Sequence, residues 1–300
     1  MDRRVGFIGL GAMGHPMASR LVAASADVTV FDVAAARVCS LVELGARPAA
    51  SARAVADQAD FVLLSLPNAE AVLAAVDGSD GALRGSRIRT LIDLSTIGLR
   101  GSTRLAELAN AAGVSYLDAP VSGGTAGARD GQLTIMAGGA AETLADAADI
   151  LQVLSARIIH VGDSPGQGQL TKIANNLMSA AALLITAEAL SLGARNGMAS
   201  ARMLEAINLS SGRNTASADK FPKYVLTGTF DFGFRLELMR KDLSLLQEAA
   251  AAADLPMPLA QSVVDLFSRA SEVVPHDADL TAIAQAVESW TGASLRDDAT

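Results

Sequence analysis

Lysine is scarce in this chain, and one lysine lies beside two amide side chains in an otherwise apolar stretch. The 300 residues include 4 Lys and 20 Arg. Lys172, Asn175 and Asn176 stand near the start of a long Ala/Leu-rich segment with helical periodicity. Positions 172 and 176 are one helical turn apart, so their side chains share one face. Such a lysine either extends its ammonium to solvent or exchanges a proton with a hydroxyl or carbonyl group, and the neighbouring amides favour a polar site.

A glycine-rich turn near the N-terminus gives a second chemical signal. It has the pattern G-x-G-x-x-G and consists of Gly9-Leu10-Gly11-Ala12-Met13-Gly14. Because the turn follows an apolar strand and opens a helix, it predicts a dinucleotide site whose pyrophosphate lies at the helix N-terminus. Asp32 follows at the end of the second predicted strand, where an acidic residue accepts hydrogen bonds from ribose hydroxyls. A carboxylate repels a 2′-phosphate, so NAD is predicted and NADP is disfavoured, although Arg37 could soften that preference.

The elements that must position these residues change character halfway along the chain. Apolar runs alternate with helix-like stretches as far as Val161, with strands predicted at 4–10, 27–32, 61–66, 90–94, 115–118, 132–137 and 156–161. Repeated βα units predict an α/β fold, a Rossmann-type doubly wound parallel sheet covered on both faces. Long Ala/Leu-rich segments follow, which predict an all-α domain. The predicted domains are 1–163 for NAD binding, 164–294 for substrate binding and oligomerisation, and 295–300 as a frayed tail.

Composition excludes several classes of protein. Half of the residues are hydrophobic and 19% are charged, which is too apolar for a disordered chain. The net charge of −8 argues against a nucleic-acid partner. Polar residues interrupt the apolar stretch 173–192, so a buried helix is expected there and no membrane partner. With the single Cys39, no secretory signal and no cluster of metal-ligand spacing, we predict a cytoplasmic protein without a metal site.

The three histidines invite catalytic interpretations, which we weigh against structural ones. His160 lies at the end of a predicted strand and is expected to be structural. His276 is expected at the surface. His15 follows the glycine-rich turn and could touch the phosphates, but a structural role is favoured.

Four separated motifs resemble the β-hydroxyacid dehydrogenases, a family that includes 3-hydroxyisobutyrate dehydrogenase and tartronate semialdehyde reductase. The resemblance spans about 5–290, and its motifs lie at 6–18, 118–131, 166–176 and 241–243. The second motif contains Asp-Ala-Pro-Val-Ser-Gly-Gly and the third Gly-Gln-Gly-Gln-Leu-Thr-Lys-Ile-Ala-Asn-Asn. The fourth is Lys-Asp-Leu. The second and third motifs are specific, so their joint occurrence by chance is remote.

The resemblance implies a role for each motif. Lys172 would be the catalytic acid and base, and Asn176 would bind substrate and position that lysine. The substrate carboxylate would lie against Ser122, Gly123 and Gly124. The remaining implied contacts are to NAD, and they come from Leu66, Pro67, Thr96 and Lys241. For Lys241 the structural alternative is a surface lysine paired with Asp242.

The resemblance therefore predicts an NAD-dependent oxidoreductase acting on a small 3-hydroxyacid of the 3-hydroxyisobutyrate type. Reductases of tartronate, succinic or sulfonated semialdehydes remain alternatives within the family, and a non-catalytic NAD-binding scaffold is an alternative outside it. The substituent pocket is expected to involve Ser122, the segment 211–232 and Arg213. The apolar surface of the predicted helices exceeds what one small bundle buries, which predicts a homodimer or homotetramer.

Overall fold

A computed structural model describes residues 3–24, 27–275 and 277–296. The chain divides into two compact units, Met1–Lys172 and Ile173–Thr300. The division falls within one long helix, α8, which spans Gln167–Arg195. Lys172 thus belongs to the first unit and Asn176 to the second.

A nine-stranded sheet forms the centre of the first unit. Its strands are β1 (Arg4–Ile8), β2 (Asp27–Phe31), β3 (Arg47–Pro48), β4 (Phe61–Leu64), β5 (Thr90–Asp93), β6 (Ser115–Asp118), β7 (Val121–Ser122), β8 (Leu133–Gly138) and β9 (Ser155–Gly162). The order is β3-β2-β1-β4-β5-β6-β8-β7, and β9 also pairs with β8. The order reverses at β1, as in a doubly wound sheet, and the first six strands are parallel. The sequence pattern predicts five of these six strands but not the two-residue β3.

The sheet departs from the predicted parallel arrangement at β8, which pairs antiparallel with both β6 and β7. Only residues 123–132 connect β7 to β8. A parallel pairing needs a crossover of about a dozen residues or more, so this connection is too short to make one. The sheet is therefore mixed: β1 to β6 have the predicted parallel arrangement, and β8 runs antiparallel to its neighbours β6 and β7.

Helices cover both faces of this sheet. They are α1 (Gly14–Ala23), α2 (Ala35–Glu43), α3 (Ala52–Ala56), α4 (Ala69–Asp77), α5 (Gly98–Ala111), α6 (Gly124–Asp130) and α7 (Ala141–Leu154). Alternate residues of β1 enter two different hydrophobic clusters, Val5 and Phe7 on one face and Ile8 on the other. Because successive side chains of a strand point to opposite faces, this is the packing expected of a sheet buried on both sides.

The second unit is helical. After α8 it contains α9 (Ser200–Asn208), a helical segment of π type (Ala216–Val225), α10 (Leu236–Ala252), α11 (Pro258–Arg269) and α12 (Ile283–Thr291). Its core includes Leu183, Leu190, Phe221 and Phe267. By length and composition α8 also meets the requirement for crossing a membrane, which core helices of soluble proteins meet as well.

Leu295, the first residue of the predicted frayed tail, does not fray. Leu295 is fully buried, and its N–H donates to the carboxylate of Glu288 at 2.7 Å. The prediction is wrong at this residue because an apolar side chain finds a place in the helical core. Residues 297–300 lie outside the described residues.

Candidate active site

The glycine-rich turn after β1 forms a cradle that side chains would fill. Gly9 has φ +93° and donates its N–H to the carbonyl oxygen of Phe31 at 3.0 Å. A Cβ on Gly9 would collide with the backbone oxygen of Ser65, and one on Gly14 with that of Gly9. A Cβ on Gly11 would meet nothing within 4 Å, so this glycine faces open space. A turn that is tight at both ends and open at its middle glycine fits a pyrophosphate.

Asp32 lies where a ribose ligand is expected, and its carboxylate also holds the turn. It is 9% exposed and accepts hydrogen bonds from the N–H groups of Leu10 at 2.7 Å and Ala34 at 2.8 Å. Arg37 forms an ion pair with it at 3.4 Å. Arg37 Nη1 lies 3.4 Å from each carboxylate oxygen, so the about four acceptor positions of Asp32 are all in use and a ribose hydroxyl would replace one of these long Arg37 contacts. Leu10, in contrast, uses its N–H on Asp32 and buries its side chain.

The loops after β4 and β5 emerge beside the glycine-rich turn, at the carboxyl edge of the sheet. Leu66 and Pro67 belong to the first loop, and Thr96 to the second. Ser95 connects the two loops, because its hydroxyl accepts the N–H of Leu66 at 2.9 Å. The N–H of Ser95 donates in turn to Asp93 at 2.9 Å. Ligands of doubly wound sheets bind at this edge, next to the strand-order reversal.

A buried carboxylate at the end of β6 fixes the start of α8. Asp118 has no exposed surface and accepts the backbone N–H groups of Gly166 at 2.8 Å and Gln169 at 2.9 Å. Burial raises the pKa of Asp118 to about 6, although these hydrogen bonds lower it. The first turn of a helix leaves its N–H groups without partners in the helix, and Asp118 satisfies two of them.

Gln169 connects the same turn of α8 to the loop after β5. Its side chain is fully buried, and Oε1 accepts the N–H groups of Ile97 at 2.9 Å and Gly98 at 3.1 Å. Its Nε2 donates to the carbonyl oxygen of Ser95 at 2.9 Å. Three hydrogen bonds thus hold one amide in a single orientation. Sequence reasoning missed this residue; a glutamine within an apolar helix start was the available signal.

Lys172 follows one turn after Gln169, and it is 8% exposed. The turn that carries this lysine is therefore attached both to the end of β6 and to the loop after β5. Ser122 ends β7 and is half-buried. Gly123 follows it with φ +134°, which residues with a side chain rarely adopt.

Asn176 is held by a residue that the sequence analysis paired only with Lys241. The Nδ2 of Asn176 donates to the carboxylate of Asp242 at 2.6 Å, and its Oδ1 accepts from Asn175 at 3.1 Å. Lys241 contacts the other oxygen of Asp242 at 3.1 Å. Asp242 is 3% exposed, so this chain of contacts is sheltered from water. An amide has two N–H hydrogens, which leaves Asn176 one for a further acceptor.

Two of the three histidines have structural partners. His15 shares a hydrogen bond with the hydroxyl of Ser40 at 2.7 Å. His160 contacts the carbonyl oxygen of Gly139 at 2.8 Å. Both contacts fit the structural roles favoured from the sequence, and His276 lies outside the described residues.

Known proteins resemble the chain along nearly its whole length. A family model described as the NAD binding domain of 6-phosphogluconate dehydrogenase matches residues 4–162, and one described as NAD-binding of NADP-dependent 3-hydroxyisobutyrate dehydrogenase matches residues 166–287. The 2-(hydroxymethyl)glutarate dehydrogenase of Eubacterium barkeri is 37% identical over 97% of both chains. The 3-hydroxyisobutyrate dehydrogenase of Pseudomonas aeruginosa is 40% identical over 88% of this chain and 91% of its own.

Solved structures of dehydrogenases also resemble this chain over nearly its whole length. The 3-hydroxyisobutyrate dehydrogenase of Mycobacterium tuberculosis, determined with L-serine, has a TM-score of 0.89 and 31% identity over 96% of this chain and 99% of that one. Fold, glycine-rich turn and relatives together define an NAD-dependent oxidoreductase. The chain belongs to the β-hydroxyacid dehydrogenase family, and it is an NAD-dependent 3-hydroxyacid dehydrogenase.

The raised pKa of Asp118 predicts a pH dependence of stability. The pKa of Asp118 is about 6 in the folded state, above the ordinary 3.8 of an aspartate carboxyl group, so the folded state holds this proton more tightly. The contribution of this proton to stability is complete below pH 3.8 and is lost as the pH rises through 6. The loss amounts to about 3 kcal/mol. We expect chemical denaturation to show that the free energy of unfolding falls in this way with rising pH in the wild type. The Asp118→Asn variant should not show this fall.

Asp57 provides a control of opposite sign. Hydrogen bonds from the backbone and hydroxyl of Ser86 lower the pKa of this exposed carboxyl. Its contribution is therefore present above the unfolded-state pKa and is lost as the pH falls through the folded value. The account of Asp118 is contradicted if Asp118→Asn and Asp57→Asn change the pH profile in the same direction.

Proposed function

We propose that this enzyme interconverts a small 3-hydroxyacid and its semialdehyde, with Lys172 as the general acid and base. The observation that carries the proposal is the buried position of Lys172, one turn beyond the part of α8 that Asp118 and Gln169 attach to the sheet. A lysine buried in a well-ordered place is costly unless it has a task. Its place in the matching motif supports this task.

One proton would move between the Lys172 side chain and the substrate oxygen. During oxidation the unprotonated amine of Lys172 takes the proton of the substrate hydroxyl. During reduction the ammonium returns a proton to the carbonyl oxygen as that oxygen gains charge. The bound nicotinamide supplies the acceptor or donor of the hydride. The protein would hold the substrate and the Lys172 amine in the geometry of reaction. Effective molarities of well-oriented groups show that such positioning can supply much of the rate enhancement.

The remaining site residues would hold the substrate. Ser122 offers a hydroxyl, and Gly123 and Gly124 offer backbone N–H groups without side chains in the way, which suits a carboxylate. Asn176 would use its remaining N–H on the substrate, while Asp242 keeps the amide in position. Leu66, Pro67, Thr96 and Lys241 would contact the cofactor, as the resemblance implies.

A 3-hydroxyisobutyrate-type acid is the substrate we favour among the family's alternatives. Relatives named for 3-hydroxyisobutyrate and for 2-(hydroxymethyl)glutarate match most of the chain, and one solved relative holds L-serine. A screen of NADH formation over these three compounds, with glycerate and threonate, would rank the substrates. Semialdehydes of tartronate, succinate and sulfonated acids would be tested in the reverse direction.

Replacing Lys172 by Ala should abolish turnover and leave NAD affinity nearly unchanged. Loss of a general acid or base costs about 100- to 10,000-fold in rate. Steady-state NADH formation gives the rate, and fluorescence titration gives the cofactor affinity. A Lys172→Ala enzyme that turned over at the wild-type rate would refute the role. A wild type that binds NAD but oxidises no hydroxyacid would favour a non-catalytic scaffold.

Selectivity for NAD over NADP is proposed to depend on Asp32. Its carboxylate lies beside the turn and repels a 2′-phosphate, whereas Arg37 at 3.4 Å would attract one once the carboxylate is gone. Asp32→Ser should therefore move the ratio of kcat/KM values toward NADP by tenfold or more, about the worth of one charge-assisted contact. An unchanged ratio would count against Asp32 as the ribose ligand.

We further propose a soluble cytoplasmic enzyme that forms a homodimer or homotetramer through α8. Met178, Ile185 and Leu192 lie seven residues apart on this helix and are 74%, 58% and 68% exposed. An apolar stripe of this spacing suits helix-to-helix packing with a second copy. Sedimentation should show an oligomer that Ile185→Arg dissociates. A monomeric wild type would remove the proposal.

A further inference from the structure

The C-terminal ends of two helices meet at one arginine of the first unit. Arg20 lies on α1, and its Nε donates to the carbonyl oxygen of Val153 in the last turn of α7 at 2.8 Å. Its Nη1 donates to the carbonyl oxygen of Arg129 in the last turn of α6 at 3.2 Å. The last carbonyl groups of a helix lack partners within the helix and carry partial negative charge. One guanidinium therefore satisfies and complements the ends of both α6 and α7.

The contact between Arg20 and α6 is close as well as polar. Within the described part of the chain, no carboxylate forms an ion pair with Arg20, so the helix ends are the negative groups that it meets. Gly131 caps α6 with φ +67°, and a Cβ at this position would collide with the guanidinium. The arginine thus packs directly on the turn that ends α6.

The helix that carries this arginine is firmly packed, whereas α6 is not. Met17, Ala18 and Leu21 of α1 are fully buried in the cluster that includes one face of the sheet. Of the seven residues of α6, all of them described, Ala128 alone is buried. A helix this short is marginal by itself, and its two glycines weaken it further. The position of α6 therefore depends on its contacts with its neighbours.

The two helices begin at the two loops that matter for the reaction. Gly123 and Gly124, which would bind the substrate carboxylate, form the start of α6. This helix is seven residues long, so its ends are about 10 Å apart and move together. The helix α1 begins at the glycine-rich turn, which the N–H of Gly9 ties to Phe31 at 3.0 Å. Arg20 thus connects the helix after the glycine-rich turn with the helix after the substrate loop.

We propose that Arg20 is a positioning residue, which holds Gly123 and Gly124 in the place that the substrate carboxylate requires relative to the glycine-rich turn. This inference rests on the proposed function, because that function assigns the carboxylate to these two glycines. Arg20 acts through the backbone of α6. Its loss should therefore weaken substrate binding and leave the affinity for NAD unchanged.

Arg129 offers a matched control, because its backbone carbonyl oxygen, and not its side chain, accepts from Arg20. Arg20→Met removes the guanidinium, whereas Arg129→Met removes a neighbouring cation and keeps the contact. A cavity of about 490 Å³ borders both arginines, so water can reach the carbonyl groups that Arg20→Met leaves free. If that variant fails to fold, Arg20→Lys keeps the charge without the planar fork of donors and should show the same changes to a smaller extent.

Amide hydrogen exchange measures the hold on α6 without any substrate. In peptides that cover 121–132, exchange should be about tenfold faster in Arg20→Met, the worth of one hydrogen bond to a charged group in a local opening equilibrium. It should stay at the wild-type rate in Arg129→Met. Wild-type exchange in Arg20→Met would overturn the proposal.

Turnover shows whether the position of α6 matters to the substrate. With 3-hydroxyisobutyrate, Arg20→Met should raise KM about tenfold or more and change kcat less, because a misplaced loop loses a charge-assisted contact with the carboxylate. Arg129→Met should keep the wild-type KM. A role in stability alone would leave KM unchanged in the folded enzyme. An unchanged KM, or an equal rise in both variants, would contradict the inference.

Binding of unreactive probes separates this inference from the proposed function. Isobutyrate has the carboxylate of the favoured substrate without its hydroxyl group, and isobutyramide is its neutral counterpart. Calorimetry on the NADH-bound wild type should find isobutyrate at least about tenfold tighter, and Arg20→Met should lose most of that preference. A preference that Arg20→Met keeps in full would overturn the inference alone. A wild type that prefers neither probe, with faster exchange in Arg20→Met, would instead contradict the carboxylate role of Gly123 and Gly124.

Discussion

The buried carboxylate of Asp118 is the contact on which the arrangement of the active site depends. It joins the end of β6 to the first turn of α8 through the N–H groups of Gly166 and Gln169. Burial disfavours the charged form of Asp118 and therefore raises its pKa. The contact therefore stabilises the end of the helix and also fixes the position of the first turn of α8. Lys172, which lies on the same helix and in the same unit, takes its position from there.

Gln169 fixes the orientation of the same helix turn. Its amide reaches the N–H groups of Ile97 and Gly98 and the carbonyl oxygen of Ser95. Ser95 in turn holds Leu66, so one series of hydrogen bonds connects the loops after β4 and β5 with the helix that carries Lys172. Loops at this edge of a doubly wound sheet are the usual place for a bound ligand. We infer that the series sets the position of the helix turn that carries Lys172 relative to these two loops.

The sequence predicts best the features that depend on local pattern. The glycine-rich turn, Asp32 and five of the first six strands follow from spacing and periodicity within short stretches, whereas the two-residue β3 carries no such pattern. Asp118, Gln169 and Asp242 act through partners 48 or more residues away, so no local pattern reveals what they hold. The antiparallel course of β8 and the burial of Leu295 depend on packing in the same way. The roles of Lys172, Asn176 and Ser122 come from the motif resemblance and remain proposals.

The central claim is that Gln169 positions Lys172, and a matched pair of variants tests it most directly. Gln169→Met keeps the size of the side chain and removes its three hydrogen bonds, whereas Gln167→Met alters an exposed amide that contacts Ser164. Single-turnover NADH formation, with NAD affinity measured separately, gives the result. The account predicts a rate about 10- to 100-fold lower for Gln169→Met with NAD affinity little changed, since small misplacements are this costly. A wild-type rate in Gln169→Met, or an equal loss in both variants, would contradict it.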